Sequence, residues 1–278
     1  AAESTIYSTF SHTGTVTGRL SSSDPNLQNV PKIESLRFEG RNDISSRINI
    51  RDAFKGRNGR VLLAADYVQC EVRVLAHFAK DPKLTALLND VDACPYIGIA
   101  SKVTGKAYTE VSSKDRATFK TVLLGLIYGL GTKALAQKLG ISEQDAARCI
   151  QTFYKAFPGV KLFQTQTVAD AKSNASVTTL CKRKRALPDI NAQGQSMNGR
   201  RSYAERQAVN TIIQGSAADI IKLAMRRISE AICERRMSDR CKLCLQIHDE
   251  VLLEVEPDYL TDAAEMVTEC MTTCTDLS

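Results

Sequence analysis

Two short stretches that carry carboxylates lie far apart in this chain. Asp66 ends the apolar run of LLAADYVQCEVRVLAHF, and Asp249 and Glu250 sit inside LCLQIHDEVLLEV. A carboxylate buried without a partner is costly, so acids at the rims of core strands generally meet a cation or a hydrogen-bond donor. Two such rims brought together would make an oxygen-rich site for a hard divalent ion such as magnesium, which takes carboxylate ligands and keeps positions free for phosphates.

A second constellation lies on residues 114–130. Phe119, Val122, Leu123, Leu126, Ile127 and Leu130 follow the spacing of one apolar helical face. Projected at about 100° per residue, Arg116, Lys120, Leu124 and Tyr128 fall side by side on a different face. Two cations, an apolar residue and an aromatic ring in that order suit a phosphate tail, a sugar and a base, with Arg as a forked donor and Lys as a point charge. An ordinary core helix with a solvated basic face would show the same spacing.

The elements that must position these groups are legible from periodicity. Residues 60–65 read as a buried strand ending at Asp66, and 71–80 as a helix through Val72, Leu75, Ala76 and Ala79. From about 90 to 175 the pattern is helical, with capping boxes at Ser112-x-x-Asp115 and Ser142-x-x-Asp145. The run Lys182-Arg183-Lys184-Arg185 and a linker to 200 precede a long helix over 203–234. Its inner stripe carries Val209, Ile212, Ile213, Ala217, Ile220, Ile221, Ala224 and Ile228. Leu243, Leu245 and Ile247, then Val251, Leu253 and Val255, alternate around His248-Asp249, the pattern of a β-hairpin with its acids at the tip. Residues 1–50 form a polar block, extended in character, with turn chemistry at Ser23-Asp24-Pro25-Asn26.

Composition bounds the rest. At 278 residues and 43% hydrophobic, the chain can bury one large or two modest cores. No apolar run reaches the roughly 20 residues needed to cross a bilayer, and no charged-then-apolar leader opens the chain, so it reads as soluble, intracellular and free of membrane partners. The lack of an initiator Met predicts a piece of a longer protein. A net charge of +6 favours a polyanionic partner only weakly. Nine cysteines, mostly in apolar surroundings, read as reduced thiols. Cys241 and Cys244 with Cys270 and Cys274 have zinc-like spacing, but the first pair precedes a strand on which neighbouring thiols need not converge. Oligomeric state is left open.

Five blocks together resemble one family. RATFKTVLLGLIYG is similar to the nucleotide-binding helix of the fingers in family A DNA polymerases, DYVQCEVR to the first catalytic motif and QIHDEV to the last. TGRLSSSDPNLQNVP and ERQAVNTIIQGSAADIIK resemble two further family blocks, and all five occur in the family's order. The resemblance implies DNA-templated addition of dNTPs to a primer 3′ end, and an α/β (α+β) fold in which an antiparallel palm sheet carries an inserted helical fingers subdomain. It divides the chain into palm at 1–89, fingers at 90–200 and palm again at 201–278. Thumb and exonuclease-like domains would precede residue 1, and the closing palm strand would follow residue 278. ERQAVNTIIQGSAADIIK and GLIYGLG look nearest to the theta-like eukaryotic repair branch, with a nuclear or organellar setting if the source is eukaryotic.

Carried onto this sequence, the resemblance makes Asp66, Asp249 and the carbonyl of Tyr67 ligands of two Mg ions, with Glu250 an auxiliary carboxylate. Arg116 and Lys120 would grip the triphosphate, Lys120 also protonating the leaving pyrophosphate. Leu124, Tyr128 and Gln69 would line the nucleotide site, and Glu71 would be the steric gate against a ribose 2′-hydroxyl. Primer-template DNA would meet Arg19, Asn26, Gln28 and His248, and its minor groove would meet Arg206, Asn210 and Gln214, whose donors can test pair shape at acceptors common to every base pair. The basic run 182–185 suits template phosphates better than a nuclear import signal, although its sequence fits either. Leu124 stands where members usually carry Phe or Tyr, and Cys94 where many bacterial members carry a phosphate-contacting His. Two other readings fit the same residues: a catalytically silent nucleic-acid-binding remnant, and a template-independent nucleotidyl transferase.

Overall fold

The computed structural model describes residues 5–30, 50–90 and 92–277, so 31–49 of the polar block lie outside the described residues. In chain order the elements are β1 (Thr9–Ser11), β2 (Ser21–Ser23), β3 (Val61–Asp66), α1 (Cys70–Ala79), α2 (Pro82–Asn89), α3 (Pro95–Thr104), α4 (Ser113–Ile127), α5 (Thr132–Leu139), α6 (Glu143–Ala156), α7 (Pro158–Asn174), β4 (Ser176–Thr178), β5 (Lys184–Ala186), α8 (Asn198–Glu234), β6 (Cys241–Ile247), β7 (Glu250–Val255) and α9 (Leu260–Thr273). The class is mixed α and β with antiparallel sheets, as the sequence implied. The chain forms two compact units, one of residues 1–68 with 218–276 and one centred on 69–217.

The first unit is built on a three-stranded sheet of order β3-β7-β6. Strand β3 pairs antiparallel with β7 from Val61 opposite Val255 to Asp66 opposite Glu250. Val251, Leu253 and Val255 are fully buried on one face of β7, with Ala263, Met266 and Val267 of α9 and Ile220, Ile221, Ala224 and Ile228 of α8 also in the core. Directly opposed residues share a face, so Asp66 and Glu250 stand on the face away from that Val-Leu-Val stripe.

Strand β6 departs from the simple alternation expected of Leu243, Leu245 and Ile247. The register shifts between Leu243, opposite Leu253, and Leu245, opposite Leu252, which leaves Cys244 as an extra residue. A bulge of this kind exchanges the faces beyond it. Gln246, opposite Val251, is therefore turned to the buried side at 3% exposure, and Leu245 and Ile247 are only half-buried.

The second unit is helical. Helix α4 starts at a complete capping box, in which Ser112 Oγ accepts from the Asp115 backbone N–H and the Asp115 carboxylate accepts from the Ser112 N–H. Lys106 and Ser112 hold the Asp115 carboxyl down at about 2, so the box stays charged at neutral pH. Helix α6 shows half of this motif, with Ser142 accepting from Asp145 N–H. Buried Asp81 caps α2 and also accepts from the Gly159 N–H at the start of α7.

Sequence periodicity missed the β4–β5 hairpin that contains the basic run. Its strands alternate: Lys182 and Lys184 are exposed, whereas Arg183 donates to the Gly215 carbonyl and Arg185 to Thr211 Oγ1 on α8. Beneath it lie Val177, Leu187, Ile190, Ala204 and Ala208. Only half of the four-cation run is thus offered to solvent. A Leu253→Ala substitution is expected to cost about 3 kcal/mol of unfolding free energy and a Leu252→Ala substitution less than half as much, because only the first residue is fully buried. Equal losses in chemical denaturation would overturn the face assignment of β7.

Candidate active site

In the first unit, a two-residue turn places the acids. Ile247 and Glu250 are the last paired residues of the β6–β7 hairpin, and His248 and Asp249 form its connection, His248 at a φ of 57°. The strand end is tied to this turn, because Tyr67 N–H donates to the Asp249 carbonyl at 3.2 Å. Tyr67 is anchored in turn by its hydroxyl, which donates to the Met271 carbonyl at 2.6 Å. Asp66, Asp249 and Glu250 therefore lie at one end of one sheet, although Asp66 is far in sequence from the other two. Arg19 lies beside them, its guanidinium 3.9 Å from Asp249 Oδ1.

Two other polar residues of this unit expected at DNA, Gln28 and Asn26, have structural partners. Gln28 is buried, and its Nε2 donates to Gln246 Oε1 at 2.8 Å and to the Gln246 carbonyl at 3.2 Å. The Gln246 amide donates onward to the His248 carbonyl. A buried amide chain thus props the acidic turn from the polar N-terminal block, a role for Gln246 that β-alternation could not reveal because the bulge hides it. Asn26 is exposed, and its side chain caps the short turn at Leu27–Asn29 by accepting from Gln28 N–H. His248 is exposed.

The donor set at the sheet edge is carboxylate and carbonyl oxygen, which fits a hard cation rather than zinc. Among the described residues, no group of three or more His, Cys, Asp or Glu side chains is drawn together as a closed cage. Magnesium needs no such cage, since it binds through one or two carboxylates and fills its shell with water and substrate phosphates. The four-cysteine arrangement fails the same test: Cys241 and Cys244 sit on β6, and the Cys274 thiol bonds the Ile220 and Met271 carbonyls.

In the second unit, α4 presents Arg116, Lys120 and Tyr128 exposed and Leu124 half-buried, while Phe119, Val122, Leu123, Leu126 and Ile127 are buried. Tyr128 is the C-cap and not an interior helical residue. Its hydroxyl donates to Glu71 Oε2 at 2.5 Å, and Glu71 is 7% exposed. Glu71 is therefore a buried partner of Tyr128. Gln69 precedes it as the left-handed N-cap of α1, its Oε1 buried without a hydrogen-bond partner. At the N-cap of α3, the Cys94 Sγ accepts from Arg116 Nε at 3.4 Å, and the Tyr96 ring lies under both cations of α4. Burial pushes the Cys94 thiol up, but the Arg116 bond and the Ile97 and Tyr96 N–H groups outweigh it and leave the thiol below its usual value. The sequence offered no signal for Tyr96.

The same unit holds the first part of α8, where Arg206 is exposed and Asn210 and Gln214 are half-buried. Asn210 Oδ1 is buried and lacks a hydrogen-bond partner. The Arg206 guanidinium lies over the Tyr203 ring at 5.7 Å. Gly129 packs against its stem: with φ at +68°, an added Cβ would meet Arg206 Cγ at 2.5 Å. The glycine of LIYGLG is thus demanded by backbone conformation and by close approach.

The model of the family described as DNA polymerase family A matches residues 1–278. DNA polymerase I of Lactococcus lactis subsp. cremoris is 40% identical over 267 residues, covering 95% of this chain and 28% of its own. DNA polymerase I of Bacillus caldotenax is 40% identical over 269 residues, 96% of this chain and 29% of its own. A solved structure, the POL domain of Pol1 from M. smegmatis in complex with DNA primer-template and dNTP, superposes with a TM-score of 0.88 at 36% identity, covering all of this chain and 46% of that one. The chain therefore spans under a third of the length of the curated relatives it matches. These relatives are bacterial and give no support to the theta-like eukaryotic placement or its nuclear or organellar setting.

A hydrogen bond to a carboxylate contributes about 1.5–3 kcal/mol, so Tyr128→Phe is expected to lower stability by up to that amount and Glu71→Gln by less, since the amide oxygen still accepts. Unfolding curves showing no loss for Tyr128→Phe would remove that bond from the description of the site.

Proposed function

Because this chain belongs to DNA polymerase family A, we propose that it catalyses DNA-templated addition of deoxynucleotides to a primer 3′ end in an intracellular setting, and that its first unit is palm and its second chiefly fingers. The observation that carries the reading is the register that sets Asp66 opposite Glu250, one residue past Asp249. A binding module needs no such convergence of acids at a sheet rim, and uncompensated like charges there are unfavourable.

In this reading, Asp66, Asp249 and the Tyr67 carbonyl hold two magnesium ions, and Glu250 adds negative charge beside them. Such ions, when bound, would activate the primer hydroxyl and neutralise charge on the triphosphate. The 3′ oxygen bonds to the α-phosphorus while the bond to the β-phosphate oxygen breaks in line. Arg116 forks onto the triphosphate, and Lys120 gives a proton to the departing pyrophosphate. Glu71, held by Tyr128, fills the space of a 2′-hydroxyl. Leu124 offers the sugar a smaller, rounder surface than an aromatic ring, which weakens discrimination at the 3′ position. Arg206 and the side-chain N–H groups of Asn210 and Gln214 donate to minor-groove acceptors. Arg19, Asn26 and His248 meet the primer and template backbone, and Gln28 contributes through the turn it props.

The test uses the intact protein in which this sequence occurs, a primer-template, single dNTPs and magnesium. Template-dictated extension is expected, falling by about 10³-fold or more in Asp249→Asn, because a metal ligand and its charge are lost. Binding without extension would favour the silent remnant, and extension indifferent to template would favour the transferase. With the same protein, Glu71→Ala is expected to raise ribonucleotide incorporation relative to deoxynucleotide by at least about tenfold, as removal of a steric and unpaired-polar penalty permits. An unchanged ratio would remove Glu71 as the gate.

A further inference from the structure

Arg116 and Lys120 are long, flexible cations on an exposed helical face, and each forfeits side-chain freedom when it grips a phosphate. Preorganising them would recover affinity without any new contact to the ligand. One residue outside α4 is placed to do so. Tyr96, on the first turn of α3, is 7% exposed, and its ring centroid lies 5.8 Å from the Arg116 guanidinium carbon and 5.6 Å from Lys120 Nζ. A second restraint acts on the same arginine, because Cys94 Sγ accepts from Arg116 Nε at 3.4 Å. That bond engages Nε, so the two Nη groups remain the natural fork for a phosphate.

Resting on the polymerase reading, we propose that Tyr96 is a positioning residue for nucleotide binding, its ring face holding the two triphosphate-gripping cations in place while Cys94 fixes the roll of the guanidinium. The ring's quadrupole attracts both cations, and the residue is buried at 7% exposure. Both distances are near the outer limit of about 6 Å for this interaction, so each cation contributes at the low end of the range. The joint effect on nucleotide affinity is accordingly modest, about fivefold.

The test measures KM for dNTP, kcat, primer-template Kd and Tm on the intact protein carrying Tyr96→Phe, Tyr96→Leu, and a series of phenylalanines at 96 with increasing ring fluorination. Phe is expected within about twofold of the unmodified protein, since the hydroxyl is not used. Leu is expected to raise KM about fivefold with kcat and DNA affinity nearly unchanged. The fluorinated series is expected to raise KM stepwise, because fluorine drains the ring face of charge while preserving its shape. A KM flat across that series overturns the proposal, as does a Leu variant whose only change is a lower Tm. Absence of extension by the unmodified protein would overturn the polymerase reading and this inference with it, and is told apart from the first two outcomes by that control.

Discussion

The structure depends on the antiparallel pairing of β3 with β7. Side chains alternate faces along a strand, so a slip of one residue would send Asp66 to the side of Val251 and Leu253. Burial of that Val-Leu-Val stripe makes the slip prohibitive, and the acids are aimed outward by the same force that builds the core. The Tyr67 N–H to Asp249 carbonyl bond then fixes the strand end to the turn, and Tyr67 is itself anchored on α9. Hydrophobic registry, not attraction between the acids, brings like charges to one rim.

The second unit solves a different problem, that of holding mobile cations ready on a solvent-facing helix. Its devices are local and small: a capping box at Ser112, a ring under Arg116 and Lys120, a thiol on Nε, and a buried carboxylate that ties Tyr128 down. Each contributes modestly, the contacts of the exposed cations least of all. Together they limit the rotamers of one face of α4. Arg183 and Arg185 show the converse use of cations, turned inward to satisfy Gly215 and Thr211 oxygens near α8.

Departures from the expected pattern trace to interactions that local periodicity does not encode. Gln246 reads as the polar member of an alternating strand, yet the bulge at Cys244 buries it and Gln28 completes it from the far N-terminal block. Asn26 serves as a cap. The burial of Glu71 and its bond to Tyr128 are likewise set by the fold and not by its place in the sequence. The basic run reads as a continuous charge until a hairpin sorts it by face.

By itself, the sequence determined the main helices, the β3 strand and the β6–β7 hairpin, the two acidic rims and the cation face of α4, because each is written in spacing of two, three or four residues along one strand or helix. Tertiary structure alone decided which acids share an edge, which glutamine props the turn, and that Tyr96 lies beneath both cations. Those outcomes depend on pairings between segments distant in the chain, where the choice is made by how much apolar surface each register buries and not by any residue's own preference.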